Sequence, residues 1–142
     1  MDKRISSRGI IIEDDCVYLM FRRRIKEDGS KKEYYVIPGG GINEGETLED
    51  NIRREMREEF SVEINILGYL GNDESEDSTA NFFACEIASG TPRLGGEELE
   101  KCNESNYYEI RKIEISNLDN IDVLGKDMIL KAYNEDYKVY SK

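Results

Sequence analysis

Glu46, Arg54, Glu55, Glu58 and Glu59 crowd five ionisable side chains into one short stretch of a chain that contains no histidine. The lack of histidine excludes Ser-His-Asp and Cys-His catalysis, histidine-ligated zinc and a histidine general base. Chemistry here must run on carboxylates, lysine, arginine, tyrosine or a bound metal. Several carboxylates at helical spacing offer the hard oxygen ligands that magnesium or manganese selects.

Residues 47–60 contain neither glycine nor proline and start at Thr47, with Asp50 three positions on, in a capping-box-like arrangement. With Ile52 at zero on a helical wheel, Leu48, Met56 and Phe60 fall at about −40°, +40° and +80° and form an apolar stripe. Glu59 falls near −20°, Glu55 near −60° and Glu58 near −120°, inside or beside that stripe. Carboxylates drawn toward a core need counter-charge, because burial and mutual repulsion both oppose ionisation. Arginine pairing on a solvated acidic face would supply it, and so would a divalent cation.

The segment before this helix narrows the choice. Gly39-Gly40-Gly41-Ile42-Asn43-Glu44-Gly45-Glu46-Thr47 is a glycine-rich loop feeding a helix N-terminus, a place where phosphate binds. It nearly spells a P-loop from Gly40 to Thr47, but Glu46 stands where that motif needs lysine, so the NTPase reading fails.

Gly40, Glu46 and Arg54-Glu55-Met56-Arg57-Glu58-Glu59-Phe60-Ser61-Val62, at this spacing, resemble the Nudix box, Gly-x5-Glu-x7-Arg-Glu-U-x-Glu-Glu-x-Gly-U, where U is a bulky aliphatic residue. Every fixed position agrees except Ser61, which replaces the glycine that ends the helix and touches no metal ligand. The resemblance implies an αβα sandwich and a hydrolase that cuts the phosphoanhydride of a nucleoside diphosphate linked to another moiety. It further implies Mg²⁺ or Mn²⁺ held by Glu55, Glu58 and Glu59 with a backbone carbonyl near Gly39 or Gly40, to acidify water and neutralise phosphate charge. Arg54 and Glu46 become an ion pair that fixes the loop against the helix and orients the carboxylates.

The general base implied by the resemblance lies outside the box, in the acidic run that follows Gly95-Gly96. Glu98 is the favoured residue, with Glu97, Glu100 and Glu104 as rivals. Arg22, Arg23 and Arg24 follow a strand, so alternation sends at least one to each face; Arg22 and Arg24 are the candidates for phosphate. Tyr34 and Tyr35 are candidates for stacking on a base, Tyr35 foremost, each with core or edge packing as the plainer role. No proline after the box marks an ADP-ribose hydrolase, and the signatures of diadenosine polyphosphate and coenzyme A hydrolases are missing. A nucleoside triphosphate, another nucleotide conjugate or a 5′-triphosphate RNA end stays open. A Nudix-fold sensor that binds a nucleotide without cutting it is the non-catalytic alternative, and loss of a box glutamate, its expected mark, is not found.

These groups need a scaffold. Residues 7–12 and 16–22 are rich in β-formers around Glu13-Asp14-Asp15 and predict a hairpin. Residues 25–33 predict an exposed loop and 34–37 a strand, ended by Pro38 and a flexible triglycine. Strands are expected at 64–70, 80–87 and 107–115, and a closing helix at 126–134. The predicted fold is α/β (α+β), helices flanking a mixed central sheet, in one domain over residues 1–142.

With 36% charged and 38% hydrophobic residues the chain reads as a soluble globular protein, and no apolar run approaches a membrane span. No apolar leader is visible at the N-terminus, so a cytoplasmic location is the default expectation. The formal charge of −11 argues against unspecific binding to nucleic acid or anionic membrane. Cys16, Cys85 and Cys102 lack the spacing of a disulfide framework or zinc site and read as small hydrophobes. A homodimer is common in the family the box resembles; nothing else in the sequence supports one.

Overall fold

The computed structural model describes residues 3–138, apart from the side chains of Glu97, Glu98 and Lys101. In chain order it runs β1 (Arg4–Glu13), β2 (Cys16–Ile25), β3 (Lys31–Val36), β4 (Gly39–Gly41), α1 (Leu48–Phe60), β5 (Glu63–Glu74), β6 (Ser78–Ser89), α2 (Gly96–Lys101) and β7 (Asn106–Glu114). A 3-10 turn, Ile115–Asn120, and α3 (Lys126–Asn134) complete it.

β1 is central. It pairs parallel with β6 along most of its length, and β6 pairs antiparallel with β5. On its other edge β1 meets β2 at Ile12–Val17 and Glu13–Cys16, and meets β4 at Ser6, Ser7 and Arg8. Beyond the hairpin β2 leaves β1 and takes β3 on that edge, while β7 runs along its other edge from Cys16 to Arg24. The sheet therefore splits, and the gap between the Arg8 end of β1 and the Arg22 end of β2 is where a ligand can enter.

Strand alternation builds the two apolar layers. Ile10 and Ile12 of β1, with Phe82 and Ala84 of β6, pack under α3 and the 3-10 turn against Leu118, Ile129 and Ala132. Ile11, Phe83 and Cys85 face the other way, onto Ile52, Met56 and Phe60 of α1. Both faces of the mixed sheet are thus covered by helices, the predicted sandwich. The stripe read from the wheel is the buried one: Ile52, Met56 and Phe60 are fully buried.

α1 begins where its cap predicts. The Thr47 hydroxyl accepts from the Asp50 N–H, while the Asp50 carboxylate turns away to Arg53, so half of a capping box forms. Ser61 takes the left-handed conformation, φ 60° and ψ 31°, that glycine usually supplies at a helix end. Its hydroxyl donates to the Arg93 carbonyl at 3.0 Å, which ties the unusual cap residue to the next loop.

Two expectations are corrected. Residues 25–33 are not one loop: β2 runs to Ile25 and β3 starts at Lys31, since the ladder is made by backbone groups and continues where the side chains are exposed and charged. The triglycine is not a flexible connector but β4. A Cβ at Gly39, whose φ is 150°, would lie 2.0 Å from the Ser7 carbonyl oxygen, so glycine is what lets this strand lie against β1. The helix α2 and the 3-10 turn were not anticipated, both being too short to show a period.

Ile52→Ala is expected to lower the unfolding free energy by about 2–5 kcal/mol through lost burial and a residual cavity. Urea unfolding followed by circular dichroism checks this; an unmoved midpoint would contradict the role given to the α1 stripe.

Candidate active site

One turn of α1 presents the carboxylates. Glu55, Glu58 and Glu59 each offer one oxygen, and these oxygens lie within 4.8 Å of one another. Glu55 and Glu59 are only 8% exposed. Glu58 stands at the mouth, its side chain 52% exposed.

Arg54 holds this group together. Its Nε and Nη2 donate to the two oxygens of Glu46 at 2.7 and 3.1 Å, its Nη1 reaches Glu55 at 3.0 Å and Glu58 at 3.1 Å, and its Nη2 also donates to the Gly41 carbonyl at 2.9 Å. The loop before the helix is thereby clamped to it. Glu46 also accepts from the Asn43 N–H at 2.9 Å, and the buried Asn51 donates to the Gly41 carbonyl at 3.1 Å. Hydrogen bonding from Arg54, helped by the Asn43 N–H, holds the Glu46 carboxyl below its usual range against the opposing cost of burial. The same carboxylate raises the Arg54 pKa further.

Glu59 receives nothing from this clamp, and its buried Oε2 has no hydrogen-bond partner among the described residues. A buried carboxylate oxygen left unpaired is costly. A Cβ at Gly40 would lie 2.6 Å from the Glu55 carboxyl carbon, so the bare backbone of β4 and the carboxylates approach as closely as chain allows. Three converging acid groups, one orphaned oxygen and an adjoining strand of bare peptide form a donor set of hard oxygens, which fits a divalent cation such as Mg²⁺ or Mn²⁺.

The C-terminal end of α1 recruits the remaining wall. The Phe60 carbonyl accepts from the Arg93 N–H at 2.9 Å and the Glu59 carbonyl from the Gly95 N–H at 3.1 Å, satisfying carbonyls the helix leaves open. This brings Gly96 and, on α2, Glu100 to the rim of a cavity of about 480 Å³ that also holds Arg4, Arg54 and the three glutamates. Glu98 lies on α2, but its side chain falls outside the described residues, as does that of Glu97. Glu104 is exposed beyond α2.

Two further cavities continue this one into the split between β1 and β2. The first, about 180 Å³, joins Arg4, Gly39 and Glu59 to Arg8, Arg22 and Tyr108. The second, about 420 Å³, continues past Arg8 and Arg22 to Tyr34, Phe82 and Leu124. Arg22 donates to the Tyr108 hydroxyl at 3.0 Å and lies 4.8 Å from that ring's centroid. Arg24, two residues further on, is exposed and lines none of these three cavities. Tyr35 faces the opposite side of the sheet from Tyr34: it packs 5.2 Å from Phe21 and accepts from Arg111 at 2.9 Å.

Arg4, Arg8 and Tyr108 line the cleft without having been singled out. Arg4, Ser6 and Arg8 alternate as strand neighbours on one face would, but the strand predicted from residue 7 hid the pattern. Tyr108 reaches the cleft because β7 pairs with β2, which no local signal announces.

The NUDIX domain family model matches residues 3–125. The chain belongs to the Nudix family, and its activity class is that of a Nudix pyrophosphohydrolase, a hydrolase of acid anhydrides. It is 40% identical over 118 residues to the RNA pyrophosphohydrolases of Pseudomonas putida (strain GB-1) and Pseudomonas fluorescens (strain SBW25), covering 83% of this chain and 67% of each relative. The fold is similar to that of a MutT Nudix hydrolase from Burkholderia pseudomallei, with a TM-score of 0.70 and 19% identity over 92% of this chain and 98% of the other. A Nudix hydrolase from Nitrosomonas europaea superposes with a TM-score of 0.69 and 13% identity over 94% of this chain and 90% of that one. Among the described residues no helix is long and apolar enough to cross a membrane.

Two outcomes test the site without an activity assay. Glu59→Gln removes a buried charge that lacks a partner, so the metal-free variant is expected to melt no lower than the parent while losing the rise in Tm that Mn²⁺ confers; a rise as large as the parent's would remove Glu59 from the ligand set. Because the Glu46 pKa is lowered on folding, its stabilisation is present above the ordinary value of 4.5 and lost as pH falls through the lower folded value. Glu46→Gln is therefore expected to flatten the fall of Tm below pH 4.5; identical slopes in thermal melts would refute that linkage.

Proposed function

We propose that this pyrophosphohydrolase acts on the 5′-triphosphate end of RNA, as a single catalytic domain in the cytoplasm that depends on Mg²⁺ or Mn²⁺. The observation that carries the reading is the 40% identity, across 83% of the chain, with proteins named RNA pyrophosphohydrolases. The cleft supports it. It leads from the carboxylates through Arg4, Arg8 and Arg22 to a half-apolar cavity, an order that suits phosphates first and a nucleoside beyond them.

Glu55, Glu58 and Glu59, with the Gly40 carbonyl, would hold the cation. When bound, it supplies charge neutralisation on the phosphate oxygens and a water of lowered pKa. Arg54 keeps Glu55 and Glu58 aimed into the cavity, and Glu46 keeps Arg54 in place. Arg4 and Arg8 bind the phosphate chain. A carboxylate oxygen of Glu100 takes the proton as water oxygen bonds to phosphorus and the anhydride P–O bond breaks, with Glu98 the alternative acceptor on the same short helix. Arg22 and Tyr34 meet the nucleoside, whereas Arg24 and Tyr35, outside the three cavities, take no part in binding.

The charge of the whole protein is no obstacle to an anionic substrate. The −11 is a total over the whole chain, whereas three arginines stand in the cleft beside the carboxylates that would hold the cation. A sensor that binds without cutting gains no support from a site in which every box glutamate is present.

The test is conversion of 5′-triphosphorylated RNA to its monophosphate, with release of phosphate and pyrophosphate measured beside the four nucleoside triphosphates. Turnover is expected with Mg²⁺ or Mn²⁺ and not in excess chelator. In the Glu58→Gln, Glu59→Gln double variant it should fall by more than roughly 100-fold, the upper range for residues that merely orient ligands. Rapid hydrolysis of free nucleotides with none of RNA would overturn the RNA reading and leave the hydrolase intact.

A further inference from the structure

Asn51 lies on the acidic side of the α1 wheel. With Ile52 at zero it falls near −100°, between Glu55 and Glu58 in angle and one turn closer to the start of the helix than Glu55. It is no cap: its own N–H makes an ordinary helix bond to the Thr47 carbonyl at 2.9 Å. Asparagine inside a helix is a poorer choice than alanine or leucine, because its amide competes for backbone groups. The side chain is nonetheless completely buried. Its Nδ2 donates to the Gly41 carbonyl at 3.1 Å, while its buried Oδ1 has no partner among the described residues. A carbonyl oxygen only accepts, so the amide cannot be turned over to relieve Oδ1. A buried acceptor left unbonded is costly, and an alkyl side chain at this position would avoid that cost. The amide is thus explained by what its donor holds, which is β4.

The layer of β1 and β4 is fastened to the first turn of α1 at two buried points. Ser7, fully buried and in register with Gly40, donates its hydroxyl to the Leu48 carbonyl at 2.9 Å, and Asn51 takes the Gly41 carbonyl. That carbonyl also accepts from Arg54, so both its lone pairs are engaged. Arg54 divides its donors among Glu46, Glu55 and Glu58 and follows their positions. The short Asn51 side chain carries no such obligations and acts as the stiffer spacer between strand and helix. The spacing matters because there is no slack at this contact: a Cβ at Gly40 would stand 2.6 Å from the Glu55 carboxyl carbon.

We propose that Asn51 is a positioning residue whose amide sets how deeply β4 rests on α1, and so fits the width of the cation cavity to Mg²⁺. The inference rests on the metal reading of Glu55, Glu58 and Glu59 and is independent of the RNA reading. Mg²⁺ takes oxygen ligands at about 2.0–2.1 Å in nearly ideal octahedral geometry, whereas Ca²⁺ accepts about 2.3–2.6 Å and looser arrangements. Only a few tenths of an ångström separate the two ions. A strand released from its spacer therefore loses the preference for Mg²⁺ before it loses its place beside β1, which its ladder still holds.

Asn51→Leu keeps the branch at Cγ and removes both polar atoms, and Asn51→Ala removes the side chain beyond Cβ. Calorimetric titration of the metal-free proteins with Mg²⁺ and, separately, with Ca²⁺ supplies the main measurement. Both variants are expected to lose about 10- to 100-fold in affinity for Mg²⁺, the range for groups that orient metal ligands, and clearly less for Ca²⁺, so that the ratio of the two affinities shifts. The metal-free Tm of Asn51→Leu is expected to equal or exceed the parent's, because the orphaned acceptor is gone. In turnover of 5′-triphosphorylated RNA at saturating Mg²⁺, kcat should fall while KM stays, since Asn51 lines none of the three cavities of the cleft. An unmoved ratio of affinities, or loss of the fold in both variants, would make Asn51 a packing residue and overturn the proposal with the metal reading intact. A parent that binds neither ion would remove the metal reading and this inference with it. RNA left uncut by a protein whose ratio shifts as expected would overturn the RNA reading alone.

Discussion

A single guanidinium carries the arrangement on which the rest of the site depends. Arg54 spreads its donors over Glu46, Glu55, Glu58 and the Gly41 carbonyl, so one cation neutralises part of the charge of three carboxylates while joining the loop before α1 to its middle turn. Lysine, a point charge on a flexible stem, could not reproduce a planar fork with bonds in several directions. The clamp leaves Glu59 out, which is why the buried orphan oxygen falls at the position where a cation would complete the balance.

The sheet provides the second constraint. β1 holds β2 for two registered pairs, then exchanges it for β4, a strand made wholly of glycine. That exchange opens the cleft and lines its floor with bare peptide beside Glu55. Arginines from β1 and β2, consecutive strands that part beyond their hairpin, then face each other across it. The result is a row of arginines set beside the carboxylates in a strongly acidic protein, so local geometry rather than net charge governs what can bind.

The end of α1 links the box to the rest of the chain. Open helix carbonyls must find donors, and the Arg93 and Gly95 N–H groups supply them. Ser61 in its left-handed cap adds a hydroxyl bond to the same loop. A departure from the usual glycine thus becomes an added tether that delivers α2, with Glu100, to the rim of the site.

Helical period alone was enough to place Glu55, Glu58 and Glu59 on one side of α1 against Ile52, Met56 and Phe60, since 100° per residue is a local rule that packing did not alter. The cap at Thr47 and the limits of α3 were legible for the same reason. Strand alternation sent at least one of Arg22, Arg23 and Arg24 to each face, yet could not say which face would line a cleft. That choice, together with the entry of Arg4, Arg8 and Tyr108, was decided by the pairing of β1 with β6 and β4 and of β2 with β7. Such pairing joins residues scores of positions apart, and long-range register leaves no periodic trace in the segments it brings together.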